Sequence, residues 1–494
     1  MRLAALQCGK ACLTGCHPET SASRLSLDAS LVKNSVPGEA SLTALESGKP
    51  RAIHNQDISN TVKHMQSKRI VLSTFGSFGD IHPYVAIALE LQARGHHPVI
   101  ATSEIYREKM EAAGVEFFPV RPDMPSVDEP DEVQKVVEKV MDPKGGPEAV
   151  GDMIIPYLRE IYEDLDAATE GADLLLTHPL PFAGTIVAQK KNLPWISSVL
   201  APASFLSVYD PVVPPQWPWL YHLMRLSPWV GRGVMALATI KLDQLSKPVY
   251  DLRIELGLPR GEQPLLKGQH SPTKVLALFS KVLAEPQPDW PANTVITGFP
   301  FYDRRDYFGE TAIAKELLEF LDAGPPPIIF TLGSSAIWVA RNFYLESIAA
   351  AQALGRRALL LIGYARNMPA SPLPDGVAAF EYAPYSQVLP HACAIVHQGG
   401  VGTTGQGLRS GKPVLVVPHA HDQFDNGNRV ARIGCGRVLP RPAYNAETAT
   451  RELRMLLEDP SYGDAAKKIG DVVRQEQGAR AAADEIESCL STRG

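Results

Sequence analysis

The sequence predicts an α/β chain of two doubly wound, Rossmann-like domains, and three observations predict it. From residue 69, short apolar runs of strand length alternate with segments of helical period, the order that builds a parallel sheet. After Gly298-Phe299-Pro300 the alternation starts again. Within this second series the run Cys393-Ala394-Ile395-Val396 leads into a glycine-rich turn and a helix, the junction at which such sheets hold phosphates. At 494 residues and 45% apolar content the chain can bury more than one core, and about two domains are expected from its length.

Taken in order, residues 1–64 lack sustained periodicity and are rich in Ser, Ala, Asn and Lys. They read as a disordered extension or a misassigned start, with the folded part beginning at Met65. A strand at 69–74 is followed by a helix near 82–95 that ends at Gly95, a strand at 98–101, a helix through 104–113 and a strand at 115–118. Residues 122–150, rich in Asp, Glu and Pro, read as a surface insertion with a helix at 131–140. Strands at 172–177 and 194–199 flank a helix at 181–192. In the second half, strands are expected at 327–331, 358–362, 378–381, 394–396 and 414–417, with a final helix over 464–491.

Composition removes several function classes. A net charge of −6 leaves no basic footprint for nucleic acid, so any nucleotide is expected as a small molecule. No apolar run approaches the roughly 18 residues that span a bilayer. Of six cysteines, Cys8, Cys12 and Cys16 crowd the first 16 residues, while Cys393, Cys435 and Cys489 are scattered. That spacing suggests neither a disulfide frame nor a metal site, and a cytoplasmic setting is the simplest. Leu13-Thr14-Gly15-Cys16 has the form of a lipoprotein cleavage box, but Lys10 leaves the preceding apolar stretch too short for a signal core.

The most specific stretch is His397-Gln398-Gly399-Gly400-Val401-Gly402-Thr403-Thr404, followed by Pro418-His419-Ala420-His421-Asp422-Gln423-Phe424-Asp425-Asn426. Glycines at 399, 400 and 402 open a helix whose free N–H groups suit a diphosphate. The 413–417 strand delivers Asp422 and Gln423 beside that turn, an acceptor and an amide suited to sugar hydroxyls. The pair of motifs resembles the donor site of the GT-B fold, family 1 nucleotide-sugar glycosyltransferases. The likeness is nearest to the bacterial branch of sterol glucosyltransferases, glycolipid rhamnosyltransferases and glycopeptide-antibiotic glycosyltransferases. It spans roughly Met65 to the chain end and implies two domains facing across a cleft, 65–300 binding acceptor and 301–494 binding the nucleotide sugar, with the last helix crossing back. Plant members carry a Glu for the ribose where Gly405 stands here, leaving Gln406 as the substitute candidate.

The resemblance also places Phe75-Gly76-Ser77-Phe78-Gly79-Asp80-Ile81-His82-Pro83 at the catalytic turn, with Asp80 in the slot of the base. An aspartate at a helix start is equally suited to N-capping, and the two roles coexist. His82 is the rival base, against a packing role. His397 is expected to meet the diphosphate, with a carbonyl-bonded structural histidine as the plain alternative. Thr403 and Thr404 offer hydroxyl donors or a helix cap, and Ser334, in the 331–335 loop, offers a phosphate contact or a tight turn. Tyr382 holds the slot of the aromatic that stacks on the donor base, against a core role. Trp195, Trp217, Trp219 and Tyr221 fall where the family shapes its acceptor pocket; ordinary core or an apolar patch in peripheral membrane contact are the other readings.

Together these features imply an inverting, metal-independent glycosyltransferase, a monomer or weak dimer, with no resident cofactor. It would move a hexose, foremost glucose from UDP-glucose, to a hydroxyl of a phenolic, sterol or lipid acceptor. A dTDP-rhamnose-dependent glycolipid rhamnosyltransferase is the alternative donor reading. An epimerase or phosphorylase on the same fold, or a non-catalytic nucleotide-sugar-binding partner that activates another enzyme, are the alternatives of other classes.

Overall fold

The computed structural model describes residues 66–125, 129–180, 182–302, 313–369 and 372–491; the expectations for residues 1–64 and Met65 lie outside them. The first sheet contains β1 (Arg69–Ser73), β2 (His97–Thr102), β3 (Glu116–Pro119), β4 (Leu174–Thr177), β5 (Trp195–Val199), β6 (Val275–Ala277) and β7 (Thr294–Ile296). The second contains β8 (Ile328–Thr331), β9 (Ala358–Leu361), β10 (Val377–Phe380), β11 (Ala394–His397), β12 (Val414–Val416) and β13 (Gly436–Val438). Their orders are β3-β2-β1-β4-β5-β6-β7 and β10-β9-β8-β11-β12-β13, with the pairings parallel throughout. Central strands such as Leu174-Leu175-Leu176 are apolar along their whole length because helices cover both faces.

Each sheet reverses its winding once, between β1 and β4 in the first and between β8 and β11 in the second. Loops leaving the carboxyl ends of those neighbouring strands splay apart and open a crevice, the usual ligand position of an open α/β sheet. Register brings Ser73 beside Thr177 in one sheet and Phe330 beside Val396 in the other, so the loops that follow are adjacent.

Three strands, β6, β7 and β13, were not expected from sequence; at three residues each they are too short to show a period. The 122–150 stretch is not merely a surface insertion. Helix Pro130–Val140 presents Val133 and Val137 at helical spacing, and with Met141, 3% exposed, they pack into the core beneath the second sheet, beside Leu332 and Ile337. The expected 464–491 helix is two, Pro460–Gln475 and Gly478–Ser491. The second buries Ala482, Ala483 and Ile486 against the first sheet's core, and Arg94 binds Asp484 at 2.7 Å and Glu487 at 2.8 Å. At the break, Gly478 passes so close to Phe299 that a Cβ would lie 2.4 Å from the Phe299 carbonyl carbon, placing two crossings between the halves side by side. No described helix is long and apolar enough to cross a membrane.

Candidate active site

The first half contributes a carboxylate on a rigid mount. Helix Phe78–Ala93 starts two residues before Asp80, earlier than the start near 82 expected from sequence, and its N-cap is Ser77. Asp80 is the third helical residue of a capping box, not the cap itself: Asp80 Oδ2 accepts from the Ser77 N–H at 2.8 Å and its hydroxyl at 3.2 Å. Gly76, at φ 131°, makes room for it, since a Cβ there would lie 2.4 Å from that oxygen. The other oxygen, Oδ1, stays 33% exposed with its side chain and lies 3.7 Å from His178 Nε2.

His82 sits one turn on, its ring stacked on Phe78 at 5.3 Å and edge-on to Tyr302 at 5.3 Å. Burial, then the nearby Lys109 charge, pushes its pKa down to about 3, leaving a neutral imidazole of low basicity whose Nε2 has no hydrogen-bond partner among the described residues.

In the second half the glycine turn after β11 leads into helix Val401–Ser410. His397 does not reach the cleft. It is fully buried, Nδ1 accepts the Gly399 N–H at 3.0 Å, and Nε2 lies under the helix, 3.5 Å from where a Cβ on Gly407 would be. Burial lowers its pKa to about 4, so it shapes the turn as a neutral ring. Gln398 braces the same turn through Nε2 to Thr403 Oγ1 at 3.3 Å. The N–H groups of Val401, Gly402 and Thr403 carry no hydrogen bond among the described residues, and a Cβ on Gly402 would meet nothing within 4 Å. Three unpaired amides therefore stand at a positive helix end, and two of their residues, Gly402 and Thr403, line the cleft.

Asp422 and Gln423 start helix Gln423–Arg432 after β12. Gln423 Oε1 already accepts from the N–H groups of His419 at 2.8 Å and Ala420 at 3.2 Å, so only its amide nitrogen remains for a ligand. Asp422 accepts from Asn426 Nδ2 at 2.7 Å, and the same nitrogen donates to the Gly399 carbonyl at 2.9 Å, tying the two motif loops together. Burial raises the Asp422 pKa to about 7; the Asn426 bond opposes this, while the charges of Asp80 and then Asp425 add to it. Asp80 and Asp422, from opposite halves, are thus near enough for one charge to act on the other. One position further on, Arg429 and Arg432 bind Asp210 of the first half, and Asp425 accepts the Val213 N–H at 3.2 Å.

Between the halves lies a cleft of about 1020 Å³, counted to its open mouth. Phe78, Gly79 and His82 line one wall; Ser334, Tyr382, Gly402 and Thr403 line the other, with Tyr364 and Gln406 beside them. The other sequence-predicted residues, Asp80, His397, Gly399, Gly400, Thr404, Asp422 and Gln423, lie off this lining, and Thr404 is 1% exposed with its hydroxyl unpartnered among the described residues. Gly405 leaves no space for a carboxylate, because a Cβ there would lie 2.9 Å from the Phe299 ring. Of the acceptor residues, Trp195 is a correction: it is the first residue of β5, 6% exposed in the first core, at the opposite strand end from the cleft. Tyr221 is 4% exposed and lines a second opening with Val213, Pro418 and Phe424, whereas Trp217 and Trp219 stand in solvent at 54% and 63%. His178, Tyr364, Gln398 and Asn426 were missed from sequence; His178 and Gln398 directly follow switch-point strands, Gln398 and Asn426 lie inside the quoted motifs, and Tyr364 follows β9, the neighbour of β8. Among the described residues no cluster of three His, Cys, Asp or Glu is placed to hold a metal ion.

Residues 70–144 match the model of the glycosyltransferase family 28 N-terminal domain, and 349–491 that of the erythromycin biosynthesis protein CIII-like C-terminal domain. The O-mycaminosyltylonolide 6-deoxyallosyltransferase of Streptomyces fradiae is 32% identical over 438 residues, 86% of this chain and 98% of the relative. The chain belongs to the GT-B glycosyltransferases. A sterol 3-beta-glucosyltransferase of Leptosphaeria maculans is 26% identical over 84% of this glycosyltransferase, which spans only 28% of that longer protein. Among solved structures, the glycosyltransferase of kitacinnamycin superposes with a TM-score of 0.61 at 22% identity, covering 86% of this chain and 100% of the other. SsfS6 of Streptomyces sp. SF2575, complexed with thymidine diphosphate, does so with a TM-score of 0.57 at 19% identity, covering 85% and 99%. At those identities the fold is what is shared.

Proposed function

We propose that this glycosyltransferase moves a hexosyl group from a nucleoside diphosphate sugar to a hydroxyl of a small apolar acceptor, with inversion, and that Asp80 is the base. The observation that carries the reading is the cleft itself, walled on one side by the helix start that bears Asp80 and on the other by Gly402 and Thr403 at the N-terminus of helix Val401–Ser410, whose amides carry no hydrogen bond among the described residues. The acceptor oxygen attacks the anomeric carbon as the carbon–oxygen bond to the diphosphate breaks. The bonding pair leaves with the diphosphate, and the hydroxyl proton passes to Asp80 Oδ1. The amides of Val401, Gly402 and Thr403 meet the growing charge of the leaving group. Asp422 and the Gln423 amide nitrogen bind sugar hydroxyls, and Tyr382 and Tyr364 flank the base. The His82 ring packs between Phe78 and Tyr302 on the first-half wall of the cleft.

Two donors compete. UDP-glucose is the first. A dTDP-sugar is favoured by Gly405: a carboxylate that would grip two ribose hydroxyls is replaced by contact with Phe299, and a deoxyribose lacks one of those hydroxyls. The 6-deoxyallosyl relative points the same way. The exposed Trp217, Trp219, Leu226 and Trp229 support an apolar acceptor. Mass-spectrometric screening of UDP-glucose, dTDP-glucose and dTDP-rhamnose against phenolic, sterol and hydroxy-fatty-acid acceptors tests this. A glycoside with inverted anomeric configuration is expected; donor conversion that needs no acceptor, or donor binding without product across the panel, rejects it.

A further inference from the structure

We propose that His178 is a positioning residue for Asp80, holding the carboxylate toward the cleft and stabilising it as it takes the acceptor proton. This rests on Asp80 being the base. The sheet topology brings the two together: Asp80 follows β1 and His178 follows β4, the neighbouring strands at the first switch point. Ser77 holds Oδ2, so Oδ1 is the oxygen left for chemistry, and His178 Nε2 stands 3.7 Å from it. The Leu180 N–H lies 3.1 Å from His178 Nδ1; in the tautomer that accepts this bond the ring proton is on Nε2, facing Asp80, and that tautomer is the one the role requires. The Leu180 carbonyl lies 3.0 Å from the same Nδ1, placed to accept from a protonated ring. With Nδ1 on the backbone and Nε2 on Asp80, the ring has no nitrogen to offer the acceptor, so it acts through Asp80.

The mount is stiff. The imidazole packs edge-on to Tyr84 at 6.1 Å, whose hydroxyl pairs with Ser198 at 2.6 Å, and Ser198 donates to the Thr177 carbonyl at 2.9 Å. Burial keeps His178 below its ordinary pKa although Asp80 and the Leu180 carbonyl pull it up, so the partner is a neutral donor at neutral pH. A neutral donor orients the carboxylate without the full counter-charge that would suppress its basicity. The groups facing Asp80 from the second half are His421 and Asp422, and neither is fixed to it by a hydrogen bond among the described residues. The 3.7 Å separation is a charge–dipole contact, longer than a hydrogen bond.

A pair of acceptors separates positioning from mere structure: a chlorophenol, which must lose its proton in the reaction, and the corresponding chlorothiophenol, assayed where the thiol is already ionised. Release of nucleoside diphosphate from the full chain is measured with the donor that the screen selects. For His178→Phe, turnover on the phenol is expected to fall on the order of 10²-fold, with donor KM unchanged and the thiol rate within about twofold. His178→Gln, whose amide can still donate, should recover much of the loss. Equal losses on both acceptors, or none, overturn the proposal, as does a Gln variant no better than Phe. Asp80→Asn is run alongside: if it keeps the phenol rate, the base assignment itself falls; if it loses that rate selectively while His178→Phe does not, only His178 is wrong. A wild type that turns over neither acceptor overturns both.

Discussion

The two switch points use the same topology for opposite purposes. At the first, a side-chain oxygen stays open and the backbone is engaged: Asp80 Oδ1 is left open while Ser77, Gly76 and the helix turn hold everything around it. At the second, the side chains are engaged and the backbone faces the cleft. His397, Gln398, Gln423 and Asn426 all bond to the two loops themselves, and the amides of Val401, Gly402 and Thr403 remain open. A base must gain and release a proton, which only a side chain can do. A diphosphate needs several fixed donors at once, which a helix end supplies without ordering any side chain on binding. Residues that make a motif recognisable in sequence therefore need not touch the ligand.

The largest expected effect tests that division within one turn. Gly402→Val should fold, because a Cβ there meets nothing within 4 Å, yet its side chain would stand where the diphosphate is proposed. Donor affinity is expected to fall at least about tenfold, with the thermal midpoint little changed, when measured by calorimetry and melting. Gly399→Ala should do the reverse. At φ 91° its Cβ would lie 2.6 Å from Val416 Cγ1 and 2.9 Å from the Gln423 carbonyl, so folding yield and stability drop before donor binding can be judged. If the valine variant binds donor normally, the amides of this helix end are not the phosphate site.

A smaller effect is expected where the two halves meet. Arg429, 1% exposed, lies between Asp425 and Asp210, and Arg432 adds a second bond to Asp210 at 2.6 Å. Although burial pushes the Asp210 pKa up, Arg432 and Arg429 together hold it below the usual carboxylate value. Asp210→Asn leaves Arg429 with one counter-charge and should lower unfolding stability by about 2–3 kcal/mol, read from the denaturant midpoint. An unchanged midpoint would show that the bridge does not brace the donor helix against the first half.

How much of this was legible in sequence follows from the same contrast. Strand and helix alternation gave both sheets, because buried parallel strands are apolar throughout and their helices are amphipathic. The three-residue strands β6, β7 and β13 were not legible, since pairing with a neighbouring strand, not their own period, makes them strands. Asp80 was placed at the correct turn, but the N-cap that its residue type also allowed belongs to Ser77, a difference of hydrogen-bond geometry that residue type does not encode. Trp195 was misplaced for a related reason: an aromatic near a pocket in sequence can point from the far end of its strand. Contacts between elements distant in the chain, such as His178 with Asp80 or Arg429 with Asp210, have no local signature at all.

The smallest expected effect concerns Asp422, whose carboxyl is pushed up to about 7 mainly by burial. A raised carboxylate is protonated in the folded chain at pH values where it is ionised in the unfolded one, so the native state binds more protons between those two pKa values. Stability from this group is therefore present at low pH and declines as pH rises from the ordinary aspartate range toward about 7. Asp422→Asn keeps the shape and removes the charge. Above neutrality it should melt a few degrees higher than the wild type, with the advantage vanishing near pH 4. Donor binding should weaken in the same variant if the carboxylate grips a sugar hydroxyl. A melting difference independent of pH would mean that the Asp422 carboxyl is solvated rather than buried.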